Sequence, residues 1–188
     1  ALHYDKDYEL MISVRLSAQC TDARVNQVTP ALFAAYPTLE AMANADIGDV
    51  ENYVRSCGFY HSKARDIVAC ANVLLEKYGG ELPRTMEELT ALPGVGRKTA
   101  NLILGDVFKI PGSTVVDTHC IRISNLLGLV DNLKDPVKIE MELRKILPPE
   151  HSSDFCHCIV LHGRAVCIAR RPECERCCVR HLCRHYSG

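Results

Sequence analysis

The 188 residues predict an all-α fold, and three observations carry that reading. No run of four or more residues alternates apolar with polar side chains between turn signals, so no strand is expected. Apolar residues recur instead at helical spacing, in segments that start on capping residues and stop at glycine or proline. Mid-chain, two such segments are joined by Leu92-Pro93-Gly94-Val95-Gly96, where two glycines two residues apart set a tight hairpin.

In chain order, residues 7–16 carry Tyr8, Leu10, Met11, Ile12, Val14 and Leu16, enough apolar surface for a buried helix. Small and polar residues 17–22 break it. Thr21 or Asp22 caps a second helix through Val25, Val28, Leu32 and Phe33, closed by Pro37. Short helices are expected over 39–45 and from 47 to about 56, the latter ended by Gly58 in the left-handed C-terminal position. Ser62 is the expected cap of a long helix over 63–78, which points Ile67, Val68, Ala71, Leu74 and Leu75 inward and stops at Gly79-Gly80. Thr85 and Glu88 read as a capping box for a short helix to about residue 91. After the hairpin, 97–107 places Ala100, Leu102, Ile103, Leu104 and Val107 at helical spacing. Pro111-Gly112-Ser113 is a turn into a short extended run at 114–116. Asp117 then caps a helix through Ile121, Ile123, Leu126 and Leu127, ended by Gly128; such a cap contributes about 1 kcal/mol. Amphipathic helices over 136–147 and 155–166 complete the chain before a cysteine-rich tail.

No apolar stretch approaches the roughly 20 residues of a membrane span, so no membrane partner is expected and the chain reads as cytoplasmic. The net charge of −1 argues weakly against a polyanionic partner. Its distribution says more. Residues 161–188 carry six arginines against Glu173 and Glu175, a balance of +4, while the other 160 residues balance at −5.

Three constellations carry chemistry. Lys98 lies in the first turn of the helix that follows the hairpin, where backbone amides favour an anion such as a phosphate. The helix field there, with partial burial, disfavours a charged ammonium and so favours a neutral, nucleophilic amine. Phosphate contact and nucleophile both remain open, as do capping and catalysis for Asp117.

The second constellation is cysteine. Of eleven, Cys20, Cys57, Cys70, Cys120, Cys156 and Cys158 are scattered and read as small buried hydrophobes or surface thiols. Cys167, Cys174, Cys177 and Cys183, with Cys178 spare, have the spacing C-x6-C-x2-C-x5-C. That clustering points to a metal group. One short spur with two longer arms is closer to an iron–sulfur cradle than to the paired short spurs of structural zinc. The third constellation is Gln19 with Phe59, side chains suited to filling a gap in a base stack.

These residues together resemble the endonuclease III family of DNA glycosylases, within the helix-hairpin-helix superfamily. The resemblance rests on Leu16-Ser17-Ala18-Gln19-x-Thr21-Asp22, Tyr60-x-Ser62-Lys63-Ala64, residues 92–101, Val116-Asp117-Thr118-His119, Leu161-His162-Gly163-Arg164 and the cysteine array, in family order over nearly the whole chain. It implies two helical domains with a DNA cleft between them. A helical barrel with the hairpin would span 1–110, and a [4Fe–4S] cluster domain 111–188. The family's first helix has no counterpart after Ala1.

The implied activity is base excision: removal of oxidised pyrimidines from double-stranded DNA, then lyase cleavage at the abasic site, by a monomer that is nucleoid-associated if bacterial. By position, Lys98 is the nucleophile and Asp117 the assisting carboxylate. Gln19, Phe59, Gly94, Val95, Gly96, Arg97 and His119 contact DNA, and Cys167, Cys174, Cys177 and Cys183 hold the cluster. Phe59 stands where the family commonly has an aliphatic side chain. Lys98 separates the chain from the adenine-excising branch, which usually lacks it.

Overall fold

The computed structural model describes residues 2–187, with no strand among them. Its helices are α1 (Asp7–Ser17), α2 (Asp22–Ala35), α3 (Leu39–Ala43), α4 (Ile47–Val54), α5 (Tyr60–Tyr78), α6 (Met86–Thr90), α7 (Arg97–Asp106), α8 (Thr118–Leu127), α9 (Pro136–Ile146), α10 (Ser152–Ala165) and α11 (Arg184–Ser187). The chain divides into two compact units, Ala1–Ile103 and Leu104–Gly188.

In the first unit α5 is the axis, packed against α1, α3 and α4. Ala64, Ile67, Val68, Ala71 and Leu74 recur every three or four residues, so they share the buried face. Ile67 and Leu74 are fully enclosed, as are Ile12 and Leu16 of α1, Leu32 of α2 and Met42 of α3. Each such aliphatic side chain contributes about 2 kcal/mol by leaving water. Leu74→Ala would cost about 2–5 kcal/mol through the cavity it leaves.

The expected caps are in place at α2 and α6. Thr21 Oγ1 accepts from Arg24 N at 3.2 Å. Thr85 Oγ1 accepts from Glu88 N at 3.2 Å and donates to Glu88 Oε2 at 2.7 Å, so hydroxyl and carboxylate satisfy each other.

The start of α5 differs from expectation. It begins at Tyr60, and Ser62 lies inside the helix, where its hydroxyl donates to Phe59 O at 2.9 Å. A short 3-10 turn, Arg55–Cys57, runs up to Gly58 at φ 69°, ψ 157°, a conformation essentially restricted to glycine. That turn delivers Phe59 in the left-handed region at φ 48°, and the Phe59 carbonyl accepts the helical bond from Lys63 N at 3.1 Å. Backbone geometry opens the helix here, and no side-chain cap is used.

In the second unit α8 packs against α10 and α11. Val116, Cys120, Ile123, Ile139, Leu143 and Ile159 form its core. Asp117 caps α8, and Gly128 at φ 83° closes it as expected. Asp135 caps α9, with Pro136 in the first turn where no amide hydrogen is needed. Residues 114–116, expected to be extended, lie in no helix and pair in no ladder. Cys57, Cys70, Cys120 and Cys156 are buried, as small hydrophobes should be, whereas Cys158 and Cys178 are exposed. No helix among the described residues is long and apolar enough to cross a membrane.

Candidate active site and cysteine cavity

Leu92 O accepts from Val95 N at 3.1 Å, which closes the hairpin, and both side chains are buried beneath it. The two glycines do different things. Gly94 sits at φ 73°, and a Cβ there would lie 2.7 Å from Arg15 Nε and 2.9 Å from Asp66 Oδ2. Those two atoms belong to an ion pair that ties α1 to α5, with Nε and Nη2 of Arg15 donating to Asp66 Oδ2 at 2.8 and 2.5 Å. The hairpin therefore rests on the ion pair, and only a glycine fits between them. Gly96 lies outside the left-handed region, and a Cβ there would meet nothing within 4 Å. Its carbonyl accepts from Ala100 N at 2.9 Å and opens α7.

Lys98 follows two residues later and is exposed. The partial burial expected from the sequence is not found for this side chain. First-turn amides have no partner within their own helix, so this end of α7 favours negative charge.

Asp117 is half-buried, and its Oδ1 accepts from Cys120 N at 2.8 Å. His119 is half-buried in the first turn of α8. Its ring lies flush on Gly163 of α10: a Cβ at 163 would overlap Nδ1 and come within 3.0 Å of Cγ. The glycine of Leu161-His162-Gly163-Arg164 thus seats the imidazole.

Gln19 and Phe59 are both exposed, Phe59 at 66%, and both take positive φ, at 53° and 48°. Next to both runs Lys63, fully buried, with its Nζ donating to Leu16 O, Ala18 O and Cys57 O, each at 2.8 Å. Burial pushes the Lys63 amine down, while the Cys20 and Cys57 thiols beside it pull the other way. Burial, with Cys20 adjacent, pushes the Cys57 thiol up to about 11.

Cys167, Cys174, Cys177 and Cys183 line one cavity in the second unit. Cys178 is not among the lining residues, in keeping with its reading as the spare thiol. Among the described residues no three Cys, His, Asp or Glu side chains are grouped to hold a single metal ion. Four cysteine thiols on one cavity are nonetheless a donor set for a metal group. The surroundings suit thiolates: Arg122 Nη1 donates to Cys167 Sγ at 3.3 Å, and its Nη2 donates to Cys167 O at 2.6 Å. His162 Nε2 lies 3.6 Å from Cys177 Sγ.

Residues 12–149 match the family model of the HhH-GPD superfamily of base excision DNA repair proteins. The chain is 45% identical to endonuclease III of Synechocystis over 183 residues, 97% of this chain and 83% of that protein. It is 40% identical to endonuclease III of Escherichia coli over 98% of this chain and 86% of the relative. The chain belongs to the endonuclease III family. A solved structure titled as a trapped endonuclease III–DNA covalent intermediate superposes at a TM-score of 0.92, with 42% identity, over 99% of this chain and 87% of that one. As a member of that family, it is a base-excision repair enzyme of the DNA glycosylase and abasic-site lyase class.

Sequence reasoning counted the charges of the basic tail but not their pairing. Arg176 pairs with Glu173, Arg180 with Glu175 at 2.9 Å, and Arg184 with Asp131 at 2.5 Å, so three of the six arginines are held by carboxylates. It also gave no role to Arg15, Asp66, Lys63, Arg122 or Gly163. Lys63 did carry a signal: it stands one turn before Ile67 on the apolar stripe of α5, where a lysine is out of place unless its ammonium is fully bonded.

Proposed function

We propose that this chain removes oxidised pyrimidines from duplex DNA and cleaves the abasic product, with Lys98 as the nucleophile. The observation that carries the reading is an exposed lysine in the first turn of α7, directly behind a hairpin fixed on the Arg15–Asp66 ion pair. The α7 amides take the DNA phosphates, and Gly96 leaves the backbone open for their approach.

The chemistry follows from the residues. The neutral amine of Lys98 attacks C1′ of the damaged nucleotide, and the base leaves with the bonding electron pair and takes up a proton. Sugar ring opening leaves a Schiff base between Nζ and C1′. Loss of a C2′ proton then expels the 3′ phosphate, and water hydrolyses the imine to free the lysine. Asp117 stabilises positive charge developing on the sugar or handles these protons. Its cap engages Oδ1, and a carboxylate has a second oxygen. The target nucleotide must leave the stack, at a few kcal/mol, and Gln19 and Phe59 fill the space it vacates. His119 and Arg97 complete the DNA contacts.

Cys167, Cys174, Cys177 and Cys183 would hold a [4Fe–4S] cluster, which ties their segments together and adds a one-electron redox couple. No step above uses it. The enzyme acts as a monomer, in the cytoplasm and at the nucleoid if bacterial.

Borohydride reduction during reaction with a lesion-bearing duplex tests the reading. It predicts a covalent protein–DNA adduct that disappears in Lys98→Ala. The absence of an adduct with the wild-type protein would sink the nucleophile assignment.

A further inference from the structure

We infer that Lys63 is the positioning residue that makes Gln19 and Phe59 a single paired insertion element, a conclusion that rests on the gap-filling role given to them above. Four non-glycine residues take positive φ among the described residues, and two of them are Gln19 and Phe59. Such conformations cost about 1–3 kcal/mol each and persist only where the surroundings over-determine them. Here the surroundings are one ammonium. Ala18 O lies immediately before Gln19, and Cys57 O two residues before Phe59; both accept from Lys63 Nζ. The third N–H goes to Leu16 O in the last turn of α1, whose carbonyls have no helical partner of their own.

The pairing is rigid for three reasons. The ammonium has three donors and all three are used, so it has no alternative arrangement. The side chain is wholly enclosed, so water does not compete for the carbonyls. Lys63 also lies one turn into α5, and its own amide bonds to Phe59 O at 3.1 Å, so the Phe59 turn is held from both ends of the same residue. The two tips lie 40 positions apart in the chain, and Lys63 bonds the backbone beside both. Both side chains point free while their backbones are locked, the arrangement needed for two wedges that must enter one stack in register. The chemical partner is duplex DNA with an extruded nucleotide.

The experiment compares Lys63→Met, Gln19→Ala/Phe59→Ala and the triple variant. Each is measured as single-turnover excision from a lesion-bearing duplex and as borohydride trapping on single-stranded abasic DNA, which has no stack to fill. Misplacement of wedge groups by about 1 Å costs about 10²-fold in rate, so Lys63→Met should lose about 10²-fold on duplex and keep trapping on the single strand. The triple variant should lose no more than the double, because Lys63 acts only through the residues already removed. A triple variant in which the losses multiply, or parallel loss of single-strand trapping by Lys63→Met, overturns the positioning role. Wild-type duplex activity in the Gln19→Ala/Phe59→Ala variant overturns the gap-filling reading itself, a distinct result. Lys63→Gln, with two donors in place of three, serves by the same criteria if Lys63→Met does not fold.

Discussion

The two hairpin glycines should fail in opposite ways when each is replaced by alanine. At Gly94 an alanine must hold φ 73°, which costs about 1–2 kcal/mol for a residue with a Cβ. Its methyl would also stand 2.7 Å from Arg15 Nε and 2.9 Å from Asp66 Oδ2, well inside ordinary contact, so the ion pair must yield by about half an ångström. Overpacking of that kind costs about 1–3 kcal/mol, and the entropy that alanine removes from the unfolded chain returns about 0.4–1 kcal/mol. The net loss is about 2–4 kcal/mol, or about 5–15 °C in Tm for a chain of this size. At Gly96 neither penalty exists in the free protein, so Gly96→Ala should melt at or slightly above wild type. Its cost should appear in DNA affinity, about tenfold or more, because the methyl occupies the space left for the phosphate backbone. Differential scanning calorimetry and titration against a duplex with an uncleavable abasic analogue read the two quantities separately. A Gly94→Ala protein as stable as wild type would falsify the claim that the hairpin rests on the ion pair. Unchanged DNA affinity in Gly96→Ala would remove the reason given for that glycine.

Other outcomes follow from the same geometry. Asp117→Asn keeps an N-cap of comparable quality, so Tm should move by less than about 0.5 kcal/mol equivalent and DNA affinity little, while turnover falls about 10²-fold or more; equal losses in affinity and turnover would make Asp117 structural. Burial pushes the Cys70 thiol up to about 12 from an unfolded value of 9.0. The folded state therefore holds a proton that the unfolded chain releases, and stability falls as pH rises above about 9, by about 1.4 kcal/mol at pH 10. Urea denaturation at pH 8 and pH 10 should show that component in wild type and not in Cys70→Ala; the same pH slope in both proteins contradicts it. The four-cysteine cavity predicts a broad visible absorption band with four irons per chain. It should be lost on substitution of Cys174 and unaffected in Cys178→Ser. A colourless protein with stoichiometric zinc contradicts it.

The sequence carried most of the architecture because helix limits are local chemistry. Thr21, Thr85, Asp117 and Gly128 act where their side chains or their lack of one require. Ser62 misled because a serine before an apolar stripe has the form of a cap, while the actual start is set three residues earlier by the backbone of Gly58 and Phe59. The supports of the site were hidden for a different reason. Arg15 and Asp66 are 51 positions apart, Lys63 bonds Leu16 47 positions away, and Arg122 reaches Cys167 across 45. Long-range pairs of this kind leave no periodicity to read. The array Cys167, Cys174, Cys177 and Cys183 could be read because its own spacing is the signal, and the structure places those four thiols on one cavity with Cys178 outside. Pairing in the basic tail was hidden for the same reason: Asp131, which holds Arg184, lies 53 positions upstream.

The central claim is that one exposed lysine behind the glycine hairpin does the chemistry. Proteolysis of the borohydride-trapped complex with an abasic duplex, followed by mass spectrometry of the modified peptide, tests it most directly. The reduced sugar adduct should lie on Lys98 alone. An adduct on another lysine or on the terminal amine, with Lys98 unmodified, would contradict it.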